Sequence, residues 1–281
     1  DIVAIGANFD DNNGSNSGST KIYQYTNGLW NQLGQTINGD KYNDQSGYSV
    51  SINAKGDIVA FGAPLNGNID IHSGLTKIYK YTNGSWNQLG QTIMGNNSEV
   101  SGRSVSINAK GDIVAIGAIY DDNNTISNSG STKIYKYTDG LWNQLGQPIY
   151  GDSFNDQSGY SVSINAKGDI VAIGARLDDN NTISNSGSTK IYKYTDGSWV
   201  QLGETIDGDS RNDESGRSVS INAKGDIVAI GAPFDISGST KMYQYTNGTW
   251  VQFGQTIDGD LADDQSGWSV SINAKGDIVA I

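Results

Sequence analysis

Apolar and polar residues alternate in short runs along the whole chain, and no stretch carries the three-to-four spacing of an amphipathic helix. Ser49-Val50-Ser51-Ile52 has the period of two that puts one face of a strand inward. A tight Asn53-Ala54-Lys55-Gly56 turn then leads into Asp57-Ile58-Val59-Ala60-Phe61-Gly62, a near-continuous apolar run that predicts a strand buried on both faces. Thr76-Lys77-Ile78-Tyr79-Lys80-Tyr81 follows, rich in β-branched and aromatic residues. Asn83-Gly84 signals a hairpin turn, and Trp86-Asn87-Gln88-Leu89-Gly90 resumes the alternation. The pattern therefore predicts four antiparallel strands in one stretch of about 56 residues.

That stretch recurs. The run Asp-Ile-Val-Ala starts at Asp1, Asp57, Asp112, Asp169, Asp226 and Asp277, which divides the chain into units 1–56, 57–111, 112–168, 169–225 and 226–276, with 277–281 beginning another. Tandem four-stranded units that bury both faces of their sheets predict an all-β fold, a β-propeller of five four-stranded antiparallel blades in a single domain over 1–281. Residues 269–273 are read as the strand that completes the blade begun at the N-terminus. Residues 277–281 duplicate 1–5 and compete for the same slot, so a closed ring and a window cut from a longer array both stay open.

The first and third hairpins of a unit keep constant length, whereas the loop from the second to the third strand varies. It runs from Ala118 to Gly130 in one unit and only from Ala232 to Gly238 in another. In an up-and-down blade this loop and the connection to the next unit emerge on the same face, so one face is variable and the other uniform. Most of the 30 acidic residues fall in those two loop types, among them Asp10, Asp44, Asp70, Asp121, Asp156, Asp178, Asp213 and Asp264.

Composition narrows the picture further. With 37 Gly, 3 Pro and 36% hydrophobic residues, the chain suits many short strands joined by turns. The net charge of -12 argues against nucleic-acid backbones and anionic membranes as partners. Zero cysteines exclude disulfides and thiolate metal sites. No apolar stretch is long enough to span a bilayer, so membrane insertion is not expected. The chain opens in mid-repeat and is read as part of a longer polypeptide.

Residues 47–64, Gly-Tyr-Ser-Val-Ser-Ile-Asn-Ala-Lys-Gly-Asp-Ile-Val-Ala-Phe-Gly-Ala-Pro, together with the later Gly-x-Thr-Lys-Ile-Tyr strand, resemble the FG-GAP repeat of integrin α-subunit propellers and bacterial cell-surface proteins. The resemblance covers all five units and implies an extracellular or cell-surface propeller used in adhesion or recognition. The family's calcium hairpin is longer and richer in Asp. Here Asn53-Ala54-Lys55-Gly56-Asp57 holds a Lys in the middle and too few oxygens for a hard cation, so that site is not carried over.

Candidate chemistry lies where the units differ. After each Ser-Gly at the head of a unit's first strand stand Tyr48, Arg103, Tyr160, Arg217 and Trp268, an alternation of aromatic and Arg inside nearly invariant flanks. These residue types dominate recognition sites, and they are the candidate ligand-binding set, for a carbohydrate or a protein. The bland reading makes them rim residues capping the strands. The runs Asp10-Asp11-Asn12-Asn13, Asp121-Asp122-Asn123-Asn124 and Asp178-Asp179-Asn180-Asn181 suit Ca²⁺ and suit ordinary turns equally. Trp30, Trp86, Trp142, Trp199 and Trp250 occupy one repeat position and are expected to be buried between blades.

His72 is the sole histidine, and no nucleophile triad, metalloprotease motif or phosphate loop is present. The expectation is thus a non-catalytic recognition or adhesion module, not an enzyme, binding a glycan or cell-surface protein on its acidic loop face. No cofactor is called for beyond the calcium option. A structural spacer without a ligand is the first alternative, and a carboxylate-dependent hydrolase the second.

Overall fold

The computed structural model describes residues 1–66, 72–96, 98–123, 125–180 and 183–281. Strands and turns are the only secondary structure among them, and none forms a helix long and apolar enough to cross a membrane. The chain divides into two compact units, Asp1–Ala118 with Ile134–Leu145, and Ile119–Lys133 with Gly146–Ile281.

In the first unit, β1 (Ile2–Ala7), β2 (Ser19–Thr26), β3 (Leu29–Gln32) and β4 (Ile37–Asn38) form one antiparallel sheet. The next sheet holds β5 (Ser49–Ile52), β6 (Ile58–Ala63), β7 (Leu75–Thr82), β8 (Ser85–Gln88) and β9 (Ile93–Met94). A third runs in the order β10 (Ser101–Ile107), β11 (Ile113–Ala118), β12 (Ser131–Thr138), β13 (Leu141–Gln144). In the second unit β14 (Ile149–Tyr150) pairs with Ser131 and Thr132. There too lie β15 (Ser158–Ile164), β16 (Ile170–Ala175), β17 (Ser188–Thr195), β18 (Ser198–Gln201) and β19 (Ile206–Asp207) in one sheet. The strands β20 (Ser218–Ile221), β21 (Ile227–Ala232), β22 (Ser239–Thr246), β23 (Thr249–Gln252) and β24 (Ile257–Asp258) repeat that order, and β25 (Ser271–Ile272) pairs with β26 (Val279–Ala280).

Each repeat therefore has the four expected strands and a short fifth. The third strand is eight residues long, and the fourth covers only its second half. Leu75 and Thr76, at its start, take Met94 and Ile93 as partners instead. The hairpin between third and fourth strands is set by Asn83 and Gly84, at φ 53° and 83°, the left-handed pair of a two-residue turn that matches strand twist.

The constant first hairpin is held by one buried side chain. Asn53 Oδ1 accepts from the N–H groups of Asp57 and Ile58 at 3.0 and 2.9 Å, while its amide donates to Asp57 Oδ1 at 2.9 Å. Lys55 Nζ takes the other Asp57 oxygen at 2.6 Å. Burial pushes the Asp57 carboxyl upward, but the Lys55 and Asn53 hydrogen bonds outweigh it and leave it below the usual range.

Core layers of Ile, Val and Ala fill the space between sheets, and the tryptophans close them. Trp86 and Trp142 are 2% exposed. Trp86 Nε1 donates to Leu33 O at 2.7 Å, and Gln35 clamps the Trp86 backbone, Nε2 to O at 2.7 Å and Oε1 from N at 2.9 Å. Leu33-Gly34-Gln35 is thus a seat for the next repeat's tryptophan, and a Cβ on Gly34 would stand 2.8 Å from the indole. Trp30 corrects the expectation of uniform burial. It is 54% exposed, with no Leu-Gly-Gln seat packed on it among the described residues.

Candidate active site

In the second unit the connection before β15 and the loop after β16 carry a carboxylate pair, Asp156 and Asp178. Asp156 is buried, its Oδ2 accepting from the N–H groups of Asp152 and Ser153 at 3.1 and 2.7 Å. Asp178 Oδ2 accepts from Ser188 Oγ at 2.5 Å. Lys190, on β17, donates to Asp152 at 2.5 Å and lies 3.9 Å from Asp178. Asp152, Asp178, Lys190, Thr205 and Asp207 line an open polar hollow of about 250 Å³.

The first unit shows what this pair looks like with a permanent hydrogen in it. There Asn66 occupies the position of Asp178, and its amide donates to Asp44 Oδ1 at 2.8 Å. With Asp in that place the amide hydrogen is gone, and two carboxylates must share a proton or repel. Burial, then the Asp178 charge, push the Asp156 carboxyl up to about 6. Burial and Asp178 raise Asp207 as well. Burial works to lower Lys190, but its bond to Asp152 and the charges around it raise it, so its ammonium persists. Asp213 repeats the upward shift more weakly, through burial and the Asp235 charge. Asp156, at the end of the third repeat, thus holds a proton near neutral pH beside Asp178 and the Lys190 ammonium of the fourth.

The two loops are tied together by Arg176, whose Nε donates to Gln157 Oε1 at 2.8 Å. Arg176 Nη1 and Arg217 Nη1 meet Glu214 Oε2 at 2.8 and 2.6 Å. Three of the residues singled out in the sequence join this cluster. The Arg217 guanidinium lies 3.8 Å from the Trp268 ring centre and 5.3 Å from that of Tyr160, and Arg176 sits 4.6 Å over Tyr160. In the first unit Arg103 stands 4.6 Å over Tyr48. Bulges where β10 and β15 shift register place Arg103 and Tyr160. The alternation of aromatic and Arg is thus a ladder of cation–π contacts between neighbouring repeats.

The acidic runs staple their own loops. Asp10 accepts from Ser19 Oγ and Asp121 from Ser131 Oγ, both at 2.6 Å, and Asp11 accepts from the Asn16 N–H at 2.8 Å. Among the described residues no three acidic or histidine side chains converge as a metal-binding group. Asp70, Asn124 and Asn181 lie outside the described residues.

Sequence reasoning named Asp156 and Asp178 separately and missed them as a pair, along with Lys190, Arg176 and Glu214. A signal existed in the repeat alignment. Asp10, Asn66, Asp121, Asp178 and Asp235 share a position, as do Asn8, Pro64, Ile119, Arg176 and Pro233. Arg176 is the one cation in its column, and Glu214 the one acid where three other repeats have Gln.

By sequence the chain matches no family model and no curated protein. The FG-GAP resemblance is therefore not supported beyond the coarser propeller likeness. Solved structures do resemble it. A functionally unknown protein from Desulfotomaculum acetoxidans aligns with a TM-score of 0.65 at 11% identity, over 99% of this chain and 74% of the other. The periplasmic gluconolactonase of Pseudomonas aeruginosa aligns at 0.59 and 13%, over 92% and 67%. A Bacteroides uniformis protein described as a candidate 6-phosphogluconolactonase aligns at 0.53 and 12%, over 93% and 83%.

These likenesses correct two expectations, that of a non-catalytic adhesion module and that of a chain with no enzymatic role. Proteins named for lactone hydrolysis share the architecture, so a missing triad or metal motif does not set this chain apart from enzymes. Nor do five repeats mean five equal sites, since Asn66 gives its neighbouring carboxyl a hydrogen where Asp178 gives it a charge. At such identity the fold alone is shared: an all-β, β-propeller-like set of antiparallel sheets.

Proposed function

We propose that the chain is a carboxylate-dependent hydrolase of propeller type, acting on a lactone or similar ester of a neutral sugar acid in the hollow between Asp152, Asp178 and Lys190. The observation that carries this reading is the buried Asp156 carboxyl, held near pH 6 behind Asp178 and beside a lysine. The lactonase names borne by structures of the same architecture support it. The surplus of carboxylates around the hollow selects against a phosphorylated substrate and for a neutral one.

In this proposal water adds to the carbonyl carbon and gives its proton to the Asp156–Asp178 pair, while the Lys190 ammonium steadies the oxyanion. The ring C–O bond then breaks, and the leaving oxygen takes a proton back from the pair, giving the open-chain hydroxy acid. Tyr160, Arg217 and Trp268 are assigned a supporting part, with the half-exposed Trp268 ring offering a stacking face for the sugar. A location outside the cytoplasm is proposed by analogy with the periplasmic gluconolactonase.

The test is hydrolysis of glucono-δ-lactone followed by pH-stat against the spontaneous rate. Wild type should accelerate it, and Asp178→Asn and Lys190→Ala should each lose about 100-fold or more, the scale of a positioned acid–base group. A wild-type rate equal to the background for neutral lactones and simple esters would overturn the reading.

A further inference from the structure

In the second unit two guanidiniums share one carboxylate oxygen. Arg176 Nη1 and Arg217 Nη1 both donate to Glu214 Oε2, at 2.8 and 2.6 Å. The side chains of Arg176, Arg217 and Glu214 are only 22, 11 and 15% exposed, so the cluster holds one positive charge in excess where water screens it poorly. On a chain of net charge -12 a surplus of cation is out of keeping. The rings around it do not cancel it. Arg217 lies 3.8 Å from the Trp268 ring centre and 5.3 Å from those of Tyr160 and Phe234, contacts that favour the cation and hold its plane but supply no anion.

Donors are left over as well as charge. Arg176 uses Nε on Gln157 Oε1 at 2.8 Å and Nη1 on Glu214, and Arg217 uses Nη1 alone. Arg176 Nη2 and the Nε and Nη2 of Arg217 meet no hydrogen-bond acceptor among the described residues, and none of the three is sealed from solvent. Nε and Nη2 form one side of a guanidinium, a flat fork whose spacing fits the two oxygens of a carboxylate.

The other repeats show that neither Arg176 nor Glu214 is needed to build the fold. The Arg176 position holds Asn8, Pro64, Ile119 and Pro233, and the Glu214 position holds Gln45, Val100, Gln157 and Gln265. A tie to Gln157 needs a donor and no charge, and Arg217 with Glu214 would already be a balanced pair. Arg176 is the group that unbalances it.

We infer that Arg176 and Arg217 bind a small organic monocarboxylate, gripped by the open side of Arg217, with Glu214 as a resident competitor for the same cations. One excess charge matches a monoanion and is overshot by phosphate, which carries more than one near neutral pH. The inference goes beyond the proposed hydrolysis and does not need it, because none of these residues lines the hollow between Asp152, Asp178 and Lys190.

Isothermal titration of the full chain with sodium gluconate, at neutral pH and constant ionic strength, tests this. Gluconate is the acid that hydrolysis of gluconolactone would release and is not itself turned over, so the result stands whatever the lactone assay gives. Wild type should bind one equivalent of gluconate, phosphate more weakly and glucose not at all. Glu214→Gln removes the competitor and should tighten gluconate at least about tenfold, whereas Arg176→Ala removes the excess charge and should weaken it at least about tenfold. Every other repeat has an uncharged residue at both positions, so both variants should fold, and either decides alone should the other not. Glu214→Gln should also melt below wild type and be brought back up by gluconate, as a ligand that binds only the folded chain does. Heats that never saturate in wild type and Glu214→Gln alike overturn the inference. So does phosphate binding as tight as gluconate, a Glu214→Gln affinity no higher than that of wild type, or an affinity that Arg176→Ala leaves unchanged.

Discussion

A single atom separates Asp178 from its counterpart Asn66, and it sets a charge instead of a hydrogen beside a carboxyl that burial pushes upward in both repeats. Asn66 donates a hydrogen to Asp44, whereas at Asp156 burial, and then the Asp178 charge, push the carboxyl up to about 6. A carboxyl raised in the folded state contributes stability that is fully present below its unfolded value and is lost as pH rises through its folded one. Asp156→Asn supplies the missing hydrogen. The variant should therefore gain stability relative to wild type as pH climbs from about 4 to above 6, and differ least at the acid end. Urea melts at several pH values read this directly, and a constant difference between the two proteins would show that the pair shares no proton. The same substitution should cost lactone hydrolysis if the pair is the proton relay. Why the pair was illegible in the sequence follows from the same chemistry. Asp156 and Asp178 sit in separate loops of turn-forming composition, and it takes the folded contacts, Arg176 to Gln157 and the Leu177 N–H to Asp156 O, to show those loops to be neighbours.

Strands are the elements that the pattern of the chain revealed most fully, because alternation and the Asn-Gly or Asp-Gly turn are local signals. Two features were not local and were missed. Ile37 and Asn38 form a strand too short to carry a period, fixed only by the bare start of β2. The burial of a tryptophan depends on the repeat before it, so Trp30 and Trp142 read identically and differ in exposure by half their surface. Trp142→Ala should cost about 3–5 kcal/mol as a large buried aromatic. Trp30→Ala should cost no more than about 0.5 kcal/mol, as surface changes do. Equal losses in thermal melts would contradict the assignment of seats. The seat also explains one irregularity. Glu204 stands where Gln35, Gln91 and Gln147 stand in other repeats, and a carboxylate has no hydrogen to give the Trp250 carbonyl. Glu204→Gln should restore that bond and stabilise the second unit by about 0.5–1.5 kcal/mol, measured by denaturant midpoint. An unchanged or lowered midpoint would show that the Gln clamp contributes nothing at this joint.

For the whole molecule, stability in a tandem array is the sum of each repeat's own terms and the joints to its neighbours, so repeats of the same sequence need not be equally stable. This chain contains its own control. Ile-Val-Ala-Ile-Gly-Ala occurs at 2–7, 113–118, 170–175 and 227–232, so the intrinsic exchange chemistry of these amides is nearly the same at all four places. Their surroundings are not. Val114, Val171 and Val228 are fully buried and their strands are hydrogen-bonded on both sides, whereas Val3 is 36% exposed on a strand with one partner. Hydrogen exchange followed by mass spectrometry should therefore find β11, β16 and β21 the most protected, β1 far less, and Ile278–Ile281 the least. Equal protection of the four identical segments would mean that a second flanking strand adds nothing to the stability of these amides.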